Sequence, residues 1–201
     1  ASDFHDKKAE MVFFCNPNNP TGHLVEKPII LNMARLHPHI IFVVDEAFID
    51  FVDEPERYSV INETGTTGNL IVVRSLTKFY GFPGLRIGYL VARPDVASKL
   101  MTYKEPWSVN TFAQHAAMVA LEDREFVSKS RELIFREQSY LFSELSGING
   151  LVPYKPTANY LFIKIRRGGV TSSWLQEQLL GLGIAIRDCS NFTGLNDTYF
   201  R

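Results

Sequence analysis

The sequence predicts an α/β protein built on a mainly parallel sheet, followed by a smaller α+β part. Short apolar runs alternate with longer helical patterns, and the runs are apolar on both faces, as in a sheet covered by helices. Late in the chain, a β-β-α-β order follows one long helical segment. Met11 to Cys15 reads as a buried strand closing on the turn-rich Asn16-Pro-Asn-Asn-Pro-Thr-Gly22. Residues 28–36 are helical by pattern, and residues 40–45 form a second buried strand that ends on Asp45. A loop over 54–69 leads to a third strand at 70–74. A fourth, over 85–92, is entered through Phe82-Pro83-Gly84. Helical periodicity returns at 111–121 and 124–145, the second with charges on its outer face. Strands at 151–154, 160–165 and 184–187 surround a helix at 172–182. The boundary between the two parts falls between Ala120 and Arg131, dividing the chain into 1–125 and 126–201.

Composition narrows the function classes. Of 201 residues, 45% are apolar and 21% charged, enough apolar material for a sizeable core. Basic and acidic residues, 21 and 22, leave a net charge of −1, which gives no electrostatic reason to expect nucleic acid or an anionic membrane as partner. Cys15 and Cys189 cannot make a disulfide framework and fit a reducing, cytoplasmic compartment. No apolar run is long enough to span a bilayer. His5, His23, His37, His39 and His115 lack metal-ligand spacing, so no metal is expected. The opening Ala1-Ser-Asp-Phe-His-Asp6 has neither a starting Met nor signal-peptide character, and the chain stops at Tyr199-Phe200-Arg201. Both ends read as cut from a longer protein.

Chemistry gathers at the carboxyl ends of parallel strands. Asn16 to Gly22 follows the first, Asp45 ends the second, and Ser75-Leu-Thr-Lys78 follows the third. Singly, each has an ordinary reading: a turn, a cap, a solvated amine. Together they place an acid, a lysine and hydroxyls around one pocket, suited to an anionic, nitrogen-containing ring.

These segments, with Val44-Asp-Glu-Ala-Phe-Ile-Asp50 and Gly84-Leu-Arg-Ile-Gly88, resemble the fold-type-I pyridoxal-phosphate enzymes of the class I/II aminotransferase superfamily. The resemblance runs from about Met11 to Arg201. It is greatest to the branch holding L-threonine-O-3-phosphate decarboxylase, with histidinol-phosphate aminotransferase next. It implies part of a large cofactor-binding domain, then part of a small C-terminal domain, with pyridoxal 5'-phosphate as cofactor.

By the same resemblance, Lys78 would form the Schiff base with the cofactor aldehyde, and Asp45 would pair with the ring nitrogen. Opposite unit charges 4 Å apart attract by about 4 kcal/mol at an effective dielectric of 20, roughly three pKa units. That suffices to keep the ring nitrogen protonated and the ring electron-withdrawing. Asn19 would donate to the phenolic oxygen, and Ser75 and Arg86 would hold the phosphate, with Thr77 a lesser contributor. Many aminotransferases have Tyr where this chain has Phe48, so the phenolic oxygen would lack one donor. The Phe form is similar to the decarboxylase branch, as are Pro106-Trp-Ser-Val-Asn110, Ala158-Asn-Tyr160 and Asn191-Phe-Thr-Gly-Leu195. Arg187 and Arg201 would meet the substrate's anionic groups, and Asn159 would support its carboxylate region.

The family's glycine-containing phosphate turn and ring-stacking aromatic do not occur before Met11. The implied reaction is decarboxylation of L-threonine O-3-phosphate to (R)-1-amino-2-propanol phosphate, a step of cobalamin biosynthesis. Histidinol-phosphate transamination is the alternative, and a non-catalytic binding protein of the same fold a second. The resemblance also implies a homodimer acting on a small phosphorylated amino-acid substrate.

Overall fold

The computed structural model describes residues 9–201; the opening residues, His5 among them, lie outside the described residues. The chain divides into two compact units. One holds the described residues up to Asn18 together with His23–Ser130, and the other holds Asn19–Gly22 with Arg131–Arg201.

In the first unit, β1 (Met11–Cys15), β2 (Ile41–Asp45), β3 (Leu70–Ser75) and β4 (Gly88–Val91) form a sheet in that order. β1, β2 and β3 are parallel, and β4 closes the sheet antiparallel to β3. β2 and β3 are apolar on both faces because both faces are covered at the middle of such a sheet. β1, expected as a buried strand, is the outer strand next to β2 and leaves Met11, Phe13 and Cys15 exposed on one face. Helix α1 (Lys27–Leu36) starts with Pro28 in its first turn, where the missing N–H costs nothing, and buries Ile30 and Ala34. They pack with Phe42 and Val44 of β2 and Leu70 and Val72 of β3, the main core. The side-chain amide of Asn69 donates to the carbonyls of Ala34 and Ile40, tying the end of α1 to the start of β2.

The fourth strand is shorter than the expected 85–92. Leu85 N–H donates back to the Phe82 carbonyl, and Arg86 has φ +54°, so the backbone turns until Gly88. Helix α2 (Pro94–Met101), which the sequence reading did not name, follows β4 with proline again in its first turn. In α3 (Thr111–Glu122), the Asn110 side chain caps the start by accepting from Ala113 N–H at 2.8 Å. The expected 54–69 loop contains two short 3-10 turns, Pro55–Arg57 and Ile61–Glu63.

Helix α4 (Arg124–Ser146) runs into the second unit. There β5 (Leu151–Pro153), β6 (Ile163–Ile165) and β7 (Tyr199–Phe200) pair antiparallel in that order. Leu161, Ile163, Ile165 and Phe200 form its core. Helix α5 (Ser172–Leu180) is capped by the Thr171 hydroxyl, which accepts from Trp174 N–H, and the Trp174 side chain is half-exposed. The expected strand at 184–187 does not form as a regular strand. Gly183 at φ +79° redirects the chain, and pairing begins only at Arg187, opposite Arg201. Among the described residues, no helix is long and apolar enough to cross a membrane.

Candidate active site

At the carboxyl end of β2 and β3, Asp45, Ala47, Ser75, Thr77, Arg86 and Gly88 line a cavity of about 350 Å³. Strand alternation explains the lining. Asp45 lies in register with Val73, and both face the cavity, while Val44 and Val72 face the core. Asp45 is part-buried, and its Oδ1 accepts from Ala47 N–H at 2.9 Å. The ordinary reading of Asp45 as the cap of the following turn therefore holds for one oxygen while the carboxylate still lines the cavity.

Ser75 Oγ and Thr77 Oγ1 are 2.7 Å apart, and Thr77 N–H donates to Ser75 Oγ. Two hydroxyls of the lining are thus held together. Arg86 adds a guanidinium, whose Nη1 donates to the Pro83 carbonyl at 2.8 Å. Its left-handed backbone is uncommon for a residue with a side chain, and such conformations persist where the surroundings enforce them, often at binding sites. Gly88, in register with Ser75, has no side chain to fill the cavity.

Lys78 is exposed, with its ammonium 5.9 Å from the centre of the Phe48 ring, within reach of a cation–π contact. Phe48 therefore faces the lysine, and it has no hydroxyl to donate. Cys15 of β1 lies in register with Asp45 of β2. Burial pushes its thiol pKa up, and the Asp45 carboxylate adds to that. The apolar run before Asn16 gave no signal of it; only strand pairing brings the two together.

The remaining expected residues belong to the second unit. Asn19 accepts from Arg201 Nη1 at 2.5 Å, and the Arg201 guanidinium lies over the Tyr160 ring at 5.2 Å. Arg187 Nη2 donates to Asn191 at 3.0 Å, and its guanidinium lies over Phe192 at 5.4 Å. Arg201, Tyr160 and the exposed Asn159 share a cavity of about 1010 Å³ with mostly apolar walls. Next to Arg187, Asp188 accepts from the Ser172 hydroxyl and from the Ser190 N–H and hydroxyl. Burial works against its charge, but these bonds and Arg187 prevail and hold the carboxyl below the usual range.

The strand-end cavity thus brings together a carboxylate, two coupled hydroxyls and a guanidinium, with Lys78 one residue past the hydroxyls and outside the lining. The chain belongs to the aminotransferase class I and II family, whose model matches residues 2–201. This is a group of pyridoxal 5'-phosphate enzymes. Among its relatives, the threonine-phosphate decarboxylase of Salmonella typhimurium is 38% identical over 195 residues, covering 96% of this chain and 52% of that protein. A histidinol-phosphate aminotransferase of Methanosphaera stadtmanae is 33% identical over 194 residues, covering 96% and 52%. The crystal structure of the histidinol-phosphate aminotransferase from Clostridium acetobutylicum superposes with a TM-score of 0.91 at 31% identity, covering 99% of this chain and 60% of the other. The chain thus spans about half the length of the curated relatives it matches.

The cavity residues fit the family's cofactor. Asp45 offers a carboxylate for a protonated ring nitrogen. Ser75, Thr77 and Arg86 offer donors for a phosphate.

Proposed function

We propose that the full-length protein is a pyridoxal-phosphate-dependent decarboxylase of L-threonine O-3-phosphate, yielding (R)-1-amino-2-propanol phosphate for cobalamin biosynthesis. The observation that carries the cofactor reading is the single cavity in which Asp45 stands with Ser75, Thr77 and Arg86. The bound cofactor would supply an electron sink for carbanionic charge at the substrate's α-carbon. Lys78 would hold it covalently, Asp45 would keep its ring nitrogen protonated, and Ser75, Thr77 and Arg86 would bind its phosphate. Asn19 would donate to its phenolic oxygen. Arg187, Arg201 and Asn159 would orient the substrate through its phosphate and carboxylate, which selects the bond that breaks.

The decarboxylase reading is supported by Phe48 and by 38% identity to the Salmonella typhimurium enzyme. Histidinol-phosphate transamination is the second reading, supported by the aminotransferases among the relatives. There Lys78 would carry the proton to and from the α-carbon. We place the protein in the cytoplasm, as a homodimer.

The deciding experiment loads the full-length protein with pyridoxal phosphate, adds L-threonine O-3-phosphate, and quantifies CO₂. Release without a keto-acid acceptor is expected. Turnover of histidinol phosphate with 2-oxoglutarate, without CO₂, would replace the first reading with the second.

A further inference from the structure

Arg74, which also lines the cavity, belongs to a buried ionic cluster for which the proposed chemistry has no part. Glu46, one residue past Asp45, is fully buried, and its N–H donates to the Val73 carbonyl, extending the β2–β3 ladder by one residue. Arg74, one residue before Ser75, donates from both Nε and Nη2 to Glu46 Oε2, at 3.0 and 2.8 Å. The Ser59 hydroxyl donates to that same oxygen at 2.7 Å and accepts from Arg74 Nη2 at 2.9 Å. Glu46 Oε1 accepts from Val60 N–H at 2.8 Å. Arg74 Nη1 also lies 3.5 Å from Asp50, and its cross-strand partner is Tyr89 of β4. Burial works against the Arg74 charge, but Glu46 and Asp50 outweigh it and hold its pKa above the ordinary value.

Stability alone does not call for such a cluster, since apolar residues of similar volume commonly replace a buried ion pair without loss. What the cluster supplies is direction. Two donors of Arg74's planar guanidinium converge on one Glu46 oxygen, Val60 N–H holds the other, and Asp50 lies by the third Arg74 nitrogen, so the pair is held from both sides. The strands alternate, so fixing the Glu46 and Arg74 side chains against each other fixes the side chains of Asp45 and Ser75 on the opposite face of the sheet.

Resting on the cofactor reading above, we infer that Glu46 and Arg74 are positioning residues. They lock the ends of β2 and β3 together, so that the Asp45 carboxylate and the Ser75 hydroxyl stand where ring nitrogen and phosphate require them.

The test uses the full-length protein and two variants: the double replacement Glu46→Leu with Arg74→Met, and Ser59→Ala. Three quantities are measured: the melting temperature without cofactor, the dissociation constant for pyridoxal phosphate, and the pH midpoint of the bound cofactor's visible band. The double variant is expected to melt within a few degrees of wild type, to bind cofactor at least tenfold more weakly, and to show a displaced midpoint. Ser59→Ala, which leaves the ion pair in place, should show a smaller loss of about threefold and a displacement in the same direction. Wild-type affinity and midpoint in the double variant would overturn the inference. If the double variant does not fold, the same result in Ser59→Ala overturns it. A wild-type protein that binds no pyridoxal phosphate overturns the cofactor reading itself, and this inference with it.

Discussion

Arg187 and Arg201 exchange both of their backbone hydrogen bonds, each N–H reaching the other's carbonyl at 2.8 Å. Residues paired this way stand directly opposite on neighbouring strands with side chains on one face, and like charges so placed repel. Each guanidinium lies over its own aromatic ring, Phe192 for Arg187 and Tyr160 for Arg201, so the repulsion is only partly relieved within the protein. An anion between them would relieve it further. Replacing Arg187 with Met should therefore raise the ligand-free melting temperature slightly. The same change should weaken binding of a phosphorylated substrate by roughly 10- to 100-fold, the loss of a charge-assisted bond worth about 1.5–3 kcal/mol. Calorimetry of the full-length protein with and without substrate reads both. A fall in ligand-free stability with unchanged affinity would make Arg187 a structural residue only.

Phe48 lies opposite the Lys78 ammonium with no hydroxyl to offer. Phe48→Tyr keeps the ring face and adds a donor, which by the family resemblance would reach the cofactor's phenolic oxygen. One neutral hydrogen bond contributes about 0.5–1.5 kcal/mol net, so pyridoxal phosphate should bind up to about tenfold more tightly, measured by its visible absorption on titration. Equal or weaker binding would show that the hydroxyl has no acceptor there.

Much of this arrangement is legible in the sequence, and the reason differs element by element. β2 and β3 are legible because strands covered on both faces are continuous apolar runs, and Asp45, Ser75 and Lys78 because they interrupt or follow those runs. β1 has the same apolar run but an exposed face, which no local pattern distinguishes. The 184–187 strand is not legible as the loop it is: its apolar run looks like a strand, and only Gly183 and the distant Arg201 decide where pairing starts. β7 is two residues long, too short for any period to show. The Glu46–Arg74 pair joins residues 28 apart in sequence, and no local pattern carries that. A charge at the end of the apolar run Leu70-Ile-Val-Val-Arg74 was the one available hint.

Gly88 sets the distance between β3 and β4. A Cβ built there would lie 2.6 Å from the Arg74 carbonyl oxygen, a backbone atom that cannot swing aside. Gly88→Ala must push β4 from Ser75, its register partner, and such overpacking costs about 1–3 kcal/mol. The expected result is a lower melting temperature together with at least tenfold weaker cofactor binding. Gly84→Ala is the control: a Cβ there meets nothing within 4 Å, so stability should change by no more than about 0.5 kcal/mol. If both variants melt alike, the close approach at Gly88 has no energetic weight.

Asp188 makes part of the second unit's stability dependent on pH. Its carboxyl is held below the ordinary range in the folded protein, so on acidification the unfolded chain takes up the proton first. The stabilisation is complete above the unfolded value of about 4. It is lost as pH falls from there through the lower folded value, because in that window the unfolded state binds more protons. Asp188→Asn cannot titrate, yet it keeps an oxygen to accept from the Ser172 hydroxyl. The melting temperature of the wild type should therefore fall more steeply below pH 4 than that of Asp188→Asn, and the two curves should run parallel above pH 5. Asp95, exposed and held at about 2 by Arg93, is present in both proteins, so it does not enter the difference. Parallel curves throughout would mean that Asp188 loses nothing on protonation, and that its bonds to Ser172 and Ser190 serve geometry alone.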